Sequence, residues 1–526
     1  MSVNSLYFLL FLAALYLLYY VVCPLRFRWV LLLAASVLFY VTACGASPVY
    51  ILVTGVCAWG AAGWMDAREA GMERFLAEHP GMDRAARKTA AGKHKKQKKR
   101  ILTGAVILIL GLLIVLKYGG FFTGLFNRLL AAGGWSVPVP QFLVPLGISY
   151  YTLIAIGYLF DVYKGKVKAQ KNFLKFMLFL SFFPQMTQGP ISRYGNLGEQ
   201  LYEGHSYNER NLFSGCQRIL WGFFKKLVIA DRMQPMVQTI FEQYESFGAV
   251  TCFLGCVYMT VWMYADFSGY MDIVAGAAEL FGIRLEENFK QPFFSASLAE
   301  YWRRWHITLS SWFRDYMFYP LAISSPAAKF GKWGRKTFGA RVGKLFPSLF
   351  ALGFVWFSTG LWHDASIRYI LWGVANGCFI MGAMILEPWF QKLKKLFHIR
   401  DHTKGWRCFC VARTFLLVCA LKIFPGSVST GAMFRMMGRM VTQLRLPNGW
   451  AEWFPGLSKG DGIFLAMALV LLFVVDRFAV KGSVREWLDR KGFVFRWACY
   501  GILLVSILCM GAFGTSMTGG FAYAQY

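Results

Sequence analysis

The sequence predicts an all-α, polytopic integral membrane protein, and three observations carry that prediction. First, 57% of the 526 residues are hydrophobic and only 16% are charged, whereas soluble domains are about 45–50% apolar and roughly 25% charged. Second, apolar runs of about 20 residues recur along the chain, each long enough to cross a bilayer as a helix. The ten-residue alternation of a membrane barrel is absent. Third, the net charge of +29 is dispersed over short segments between apolar runs. Basic loops of that kind anchor a protein against anionic headgroups and do not form a nucleic-acid surface.

The elements follow in order. Leu6–Cys23 is a long apolar run without a basic leader or a cleavage site, so it reads as a first membrane helix. Val30–Thr42 and Pro48–Trp64 follow. Residues 66–100 are polar and end in Lys93-His94-Lys95-Lys96-Gln97-Lys98-Lys99-Arg100, the pattern of a solvated basic cytoplasmic loop. Three spans before it would place the N-terminus outside. Further spans are expected at Ile101–Lys117, Phe142–Phe160, Phe173–Phe183, Leu212–Ala230, Ala249–Tyr264 and Met271–Phe281. Glu286–Lys344 is too charged to span, yet too rich in Trp, Arg and Phe for an ordinary loop. It suits interfacial helices or a segment dipping into the protein interior. Spans resume at Leu345–Leu361, Tyr369–Leu386, Phe409–Phe424, Ile463–Val475 and Phe493–Met510. The total is roughly 11 to 14 membrane helices. With no internal repeat or linker, residues 1–526 read as a single membrane domain.

Motifs for other chemistries are missing. Twelve cysteines include no CxxC pair and read as small hydrophobes, so no metal site is expected. No Walker A loop, GxGxxG, HExxH or GxSxG elbow occurs.

Of seven histidines, His306 and His363 lie in the most apolar, aromatic surroundings. An ionisable group at membrane depth is expensive, which makes both functional candidates. Imidazole also accepts a proton from a hydroxyl near neutral pH. A core histidine bonded to a backbone carbonyl would give His363 the same local sequence. Asp364, its neighbour, would point about 100° away on a helix, so those two side chains do not make a dyad. Were Glu300–Asp315 one helix, Arg303, His306 and Ser310 would share a face. Trp302, Trp305 and Trp312 fit an interfacial belt there. Asp266, Asp272 and Glu279 are acids in an apolar stretch and need partners, for which Arg303, Arg304 or Arg314 are candidates. Gly269 and Gly276 suit close helix packing. Pro184, Gly189 and Pro190 break any helix, leaving backbone that lines a passage or makes a turn.

These clusters resemble the membrane-bound O-acyltransferase family, in its bacterial branch of alginate O-acetylation and D-alanyl-teichoic acid transfer proteins. The resemblance runs from about Val144 onward, with a core at 144–386. It rests on Pro145-Leu-Gly-Ile-Ser-Tyr-Tyr151, Phe183-Pro184, Gly189-Pro190, Arg193-Tyr194, Phe267-Ser268-Gly269-Tyr270, Asn288-Phe289, Pro292-Phe293, Arg304-Trp305-His306, Trp312–Tyr316 and Gly360-Leu361-Trp362-His363. The chain length and the ending Phe521–Tyr526 resemble the alginate type. Asp364 departs from the glycine often found there.

The resemblance implies His363 as catalytic base and His306 as the second core histidine, and Arg303, Arg304, Asp266, Ser268, Asp272, Trp305, Ser310, Trp362 and Asn288 are candidates for substrate binding or structural support. It implies re-entrant or interfacial segments around a central funnel, in a multi-pass protein of the bacterial cytoplasmic membrane. An acyl thioester, acetyl-CoA being one, would enter from the cytoplasm with no bound cofactor. The acyl group would pass, through an extracytoplasmic partner protein, to hydroxyls of a polysaccharide. The rival expectations are D-alanyl transfer to teichoic acid and, from another class, a transporter or flippase without chemistry.

Overall fold

A computed structural model describes residues 2–44, 48–140, 142 and 144–513; the ending Phe521–Tyr526 lies outside the described residues. In chain order the α-helices are α1 (Leu6–Leu17), α2 (Arg28–Cys44), α3 (Pro48–Glu78), α4 (Arg84–Leu113), α5 (Gly119–Leu130), α6 (Ile148–Tyr163), α7 (Phe173–Ser181), α8 (Phe183–Met186), α9 (Tyr194–Tyr202), α10 (Glu209–Phe223), α11 (Asp231–Glu242), α12 (Ala249–Leu280), α13 (Leu298–Arg304) and α14 (Ile307–Phe313). They continue as α15 (Tyr319–Ala322), α16 (Ser325–Gly343), α17 (Phe346–His363), α18 (Ile367–Leu396), α19 (Lys404–Ala420), α20 (Ile423–Gly426), α21 (Thr430–Thr442), α22 (Trp450–Trp453), α23 (Lys459–Ala479), α24 (Val484–Asp489) and α25 (Phe493–Met510). Among the described residues, the isolated antiparallel bridge Phe289–Trp305 is the sole strand-like pairing.

The chain divides into two compact units: Met1–Phe213 with Ala277–Glu286, and Ser214–Gly276 with Glu287–Tyr526. Among the described residues, eight helices are long and apolar enough to cross a membrane, or nine if α16 and α17, bent by 96°, form one span. Leu6–Val22 and Ile148–Tyr163 are shorter apolar helices. The sequence-based count was higher for identifiable reasons. Phe173–Phe183 yields only a nine-residue helix, α7. Leu212–Ala230 carries Arg218, Lys225 and Lys226 within its helical run, so it fails as an apolar span. Ala249–Tyr264 and Met271–Phe281, expected as two spans, fuse into α12.

In the first unit, residues 66–100 are a helical hairpin and not a loop. The helix α3 runs 31 residues and α4 runs 30. At 1.5 Å per residue either is about 45 Å long, more than a hydrocarbon core of about 30 Å needs. Their polar ends meet through Lys98 Nζ and Glu69 Oε2, 2.5 Å apart. Asp83 caps α4 by accepting from the Ala86 N–H at 2.6 Å. Of the three expected breakers, Pro184 sits in the first turn of α8 and does not break it, whereas Gly189 and Pro190 follow its end at Met186, and 187–193 has no regular helix although most of it is buried.

In the second unit α12 is the central helix, with two thirds of its apolar window buried. Gly269 lies against Gly222, and Gly276 against Gly215, so the backbones of α12 and α10 touch. A methyl on Gly222 would lie 2.6 Å from the Gly269 carbonyl oxygen. Small residues at such crossings let helices approach without a side-chain layer. Gly222→Leu should therefore overpack this crossing at a cost of about 1–3 kcal/mol. The expected result is a lowered melting midpoint in detergent, read by fluorescence-detected size exclusion, while Gly104→Leu, which has open space around it, should not shift it.

Candidate active site

His363 is the last residue of α17. It is placed by the crossing of α17 and α18, where a Cβ on Gly373 would stand 3.0 Å from the Gly360 Cα. Asp364 leaves the helix in extended conformation (φ −153°), so the chain reverses at once into α18. The reversal sets Trp372 edge-on to the His363 ring at 5.1 Å, with Tyr369 at 6.2 Å. His363 is buried.

His306 is built differently. Glu300–Asp315 is not one helix, because His306 adopts φ 46°, ψ 53° and separates α13 from α14. A left-handed backbone on a non-glycine residue costs on the order of 1–3 kcal/mol and persists only where the surroundings hold it. Here Asn288 holds it. Its Oδ1 accepts from the Thr308 N–H at 2.9 Å and from Thr308 Oγ1 at 2.7 Å, and its carbonyl accepts from the Ile307 N–H at 3.1 Å. The bridge Phe289–Trp305 and the bond from the Lys290 N–H to the Arg304 carbonyl extend this strap. Arg303, His306 and Ser310 therefore share no helix face. Arg303 is exposed, Arg304 pairs with Glu300 at 2.8 Å, and Ser310 Oγ lies 3.5 Å from the Trp305 carbonyl.

The two histidines meet around Trp362, whose ring is 6.1 Å from His306 and 5.0 Å from His363. Phe267 of α12 closes the other side of His306 at 4.9 Å. Trp302 joins α13 to α18: its Nε1 donates to Asn376 Oδ1 at 3.1 Å, and its ring meets Trp372 at 5.5 Å. Trp305 and Trp312 are buried, which corrects the expectation of an interfacial belt. Burial pushes the His306 imidazole down to about 3, so it is neutral at ordinary pH. It suits hydrogen bonding to a substrate better than carrying charge.

Beneath this centre lies a ladder of buried ions. Lys226 Nζ reaches Asp266 at 2.7 Å and Asp231 at 2.8 Å. Asp272 pairs with Arg218 at 3.0 Å and Lys225 at 2.5 Å, and Lys225 also donates to Ser268 Oγ at 2.9 Å. Of the arginines expected to serve these acids, Arg304 and Arg314 pair with Glu300 and Asp315 at 2.8 Å instead, and Arg303 is exposed. The sequence reading missed Arg218, Lys225, Lys226 and Asp231, and singled out the Leu371–Gly377 stretch without giving Trp372 or Asn376 a role. The available signal was Lys225-Lys226 in the middle of an apolar run, where an unpaired cation is untenable.

Fold and site together define a multi-pass helical membrane protein whose interior carries a water-shielded histidine centre. The model of the MBOAT, membrane-bound O-acyltransferase, family matches residues 166–334. A probable alginate O-acetylase AlgI from Pseudomonas syringae pv. tomato is 31% identical over 417 residues, covering 79% of this chain and 70% of that protein. The chain belongs to the membrane-bound O-acyltransferase family. A probable alginate O-acetylase AlgI from Azotobacter vinelandii is 33% identical over 292 residues, 55% of either chain, so that match spans about half of the relative's length. A teichoic acid D-alanyltransferase from Bacillus subtilis is 29% identical over 290 residues, covering 53% of this chain and 68% of that one.

Three outcomes follow from this geometry. Lys226→Met strands two buried carboxylates and should cost about 3–5 kcal/mol; adding Asp266→Asn and Asp231→Asn should restore part of the lost folded yield in membranes. Asn288→Ala should release the His306 turn and lower the melting midpoint by the equivalent of about 1–3 kcal/mol for unsatisfied buried groups. For His306 the folded value is depressed, so its contribution is complete above the ordinary histidine range and is lost as pH falls toward 3. Melting of the wild type from pH 7 to 5 should decline with pH, and His306→Gln should remove up to about 1.4 kcal/mol per pH unit of that slope.

Proposed function

We propose that this O-acyltransferase moves an acetyl group from a cytoplasmic thioester toward hydroxyls of an extracytoplasmic polysaccharide, with His363 as general base. The observation that carries the reading is the pair of buried histidines either side of Trp362 in a chain of this family. A hydroxyl is a weak nucleophile until a base takes its proton, while a thioester needs only that attack and a stabilised oxyanion. His363 takes the acceptor's proton as oxygen attacks the thioester carbon. The C=O electron pair moves onto oxygen, then returns as the C–S bond breaks, and the thiolate leaves with the proton from His363. Neutral His306 hydrogen-bonds the reacting carbonyl or the acceptor. The tryptophan and tyrosine rings around His363 exclude bulk water, which limits wasteful hydrolysis of the thioester.

The donor in this reading is acetyl-CoA or another acyl thioester, and no bound cofactor is required. An extracytoplasmic acetyl-transfer protein carries the group onward, and the enzyme resides in the bacterial cytoplasmic membrane. The names of the Pseudomonas and Azotobacter relatives support acetyl and polysaccharide. The Bacillus relative supports a second reading, transfer of D-alanine to teichoic acid.

O-acetyl content of surface polysaccharide decides between them, compared across cells with wild type, a deletion and His363→Ala at matched membrane levels. The expected outcome is that His363→Ala matches the deletion. Unchanged acetyl content in all three strains refutes acetyl transfer and makes teichoic acid D-alanine the product to assay. A transporter without chemistry would retain product in His363→Ala.

A further inference from the structure

Every buried cation in the ladder under the histidines has a carboxylate, but one buried cation elsewhere in the second unit does not. Lys422 links α19 to α20 and is 4% exposed. Among the described residues no carboxylate lies within ion-pair distance of it. Its Nζ instead contacts the Met263 sulfur at 3.2 Å and lies 5.3 Å over the Trp305 ring. A thioether is a weak acceptor, and a tryptophan face offsets only part of an ammonium's desolvation. The ionisable neighbour on its own element is the Cys419 thiol, three residues earlier.

A second donor stands at the same place. The Tyr301 hydroxyl is buried and has no hydrogen-bond partner among the described residues, its ring stacked on Trp305 at 5.6 Å. Lys422 and Tyr301 both line a cavity of about 10 Å³, together with Trp302, Trp372 and Asn376. That volume is about what one water oxygen needs. Asn376 is already engaged, accepting from Trp302 and donating to the Trp372 carbonyl at 2.8 Å. The Lys422 ammonium and the Tyr301 phenol, both on residues that line the space, have no oxygen partner among the described residues, and together they call for one oxygen acceptor carrying negative charge.

The cavity lies next to the chemistry. Trp372, on its wall, is 5.1 Å from the His363 ring. Trp305, under the Lys422 ammonium, immediately precedes His306. Resting on the acyl-transfer reading above, we infer that Lys422 and Tyr301 form a two-donor hole for the thioester carbonyl oxygen. The oxygen takes the electron pair displaced from the C=O bond when the acceptor hydroxyl attacks and His363 takes the proton. It returns the pair when the C–S bond breaks. Fixed donors in a water-poor site act most strongly on charge that appears only in the transition state, so these side chains are catalytic residues.

The test uses the full-length protein in membrane vesicles of its native host, with radiolabelled acetyl-CoA as donor and label in polysaccharide as product. Lys422→Met should lower kcat about 10²–10³-fold, the loss typical of one oxyanion donor. The KM for acetyl-CoA should stay within about threefold, as for an interaction made in the transition state alone. Its melting midpoint should equal or exceed wild type, because an uncompensated buried charge has been replaced by an apolar isostere. Tyr301→Phe should also lose kcat with KM retained. A Lys422→Met rate within about threefold of wild type, with His363→Ala dead in parallel, overturns the inference and leaves the acyl-transfer reading standing. A rate loss accompanied by a lower melting midpoint also overturns it, in favour of a packing role. No acetyl transfer by wild type overturns both.

Discussion

A carboxylate carried into a low-dielectric interior has to meet a cation, and two of the three acids of α12, buried Asp266 and half-buried Asp272, meet theirs from one run of chain. Their pairing fixes most of what surrounds the histidines. Asp266 and Asp272 are met by Lys226, Lys225 and Arg218, all from the run formed by α10 and the wide π turn at Phe224–Ala230 that follows it. A π turn shifts side-chain phase relative to a regular helix, and here two successive lysines both face α12. The glycine contacts at Gly222 and Gly269 bring the two backbones near enough for those short bonds. Charge pairing and small-residue packing are thus one arrangement: either alone would leave α12 free to slide or rotate. Because Phe267 sits directly after Asp266, locking the acid also locks the ring against His306.

The two histidines are held by unlike means. His363 is held by helix geometry, at the end of α17 where a close glycine crossing turns the chain into α18. His306 is held by a loop whose left-handed turn is pinned through Asn288. Trp362 lies between them and makes the distance between the two segments a packing constraint. The proposed base role asks for a neutral, oriented ring and little water. The aromatic wall of Tyr369, Trp372 and Trp362 supplies the dryness, and its rigid rings leave few rotamers to lose.

Much of this was legible in the sequence, and the rest was hidden for physical reasons. The all-helical membrane fold followed from apolar run lengths, which depend only on local sequence. The prominence of His306 and His363 followed from the cost of an ionisable group among apolar residues. The helix break at His306 was not legible, because a left-handed residue other than glycine is imposed by tertiary contacts, here from Asn288, eighteen positions earlier. The partners of Asp266 and Asp272 were sought among Arg303, Arg304 and Arg314, which are near in sequence and aromatic context. They came instead from Arg218, Lys225 and Lys226, which an average over the run had absorbed into an apolar span. Helix counting erred for the same reason at Leu212–Ala230. Hydropathy sums over residues, whereas burial of a charge is decided pair by pair.

That pairwise logic also separates structural charges from functional ones in this interior. Lys226, with two carboxylates within 2.8 Å, has its hydrogen-bonding capacity spent on the fold, and removing it harms the protein before it harms any reaction. Lys422 has only a sulfur and an aromatic face, so its capacity remains available to something that arrives later. An interior that satisfies its other lysines so fully, and leaves this one lining a cavity with an unsatisfied phenol and with Trp372, the ring beside His363, is arranged to receive negative charge during the reaction and not to stabilise the resting fold.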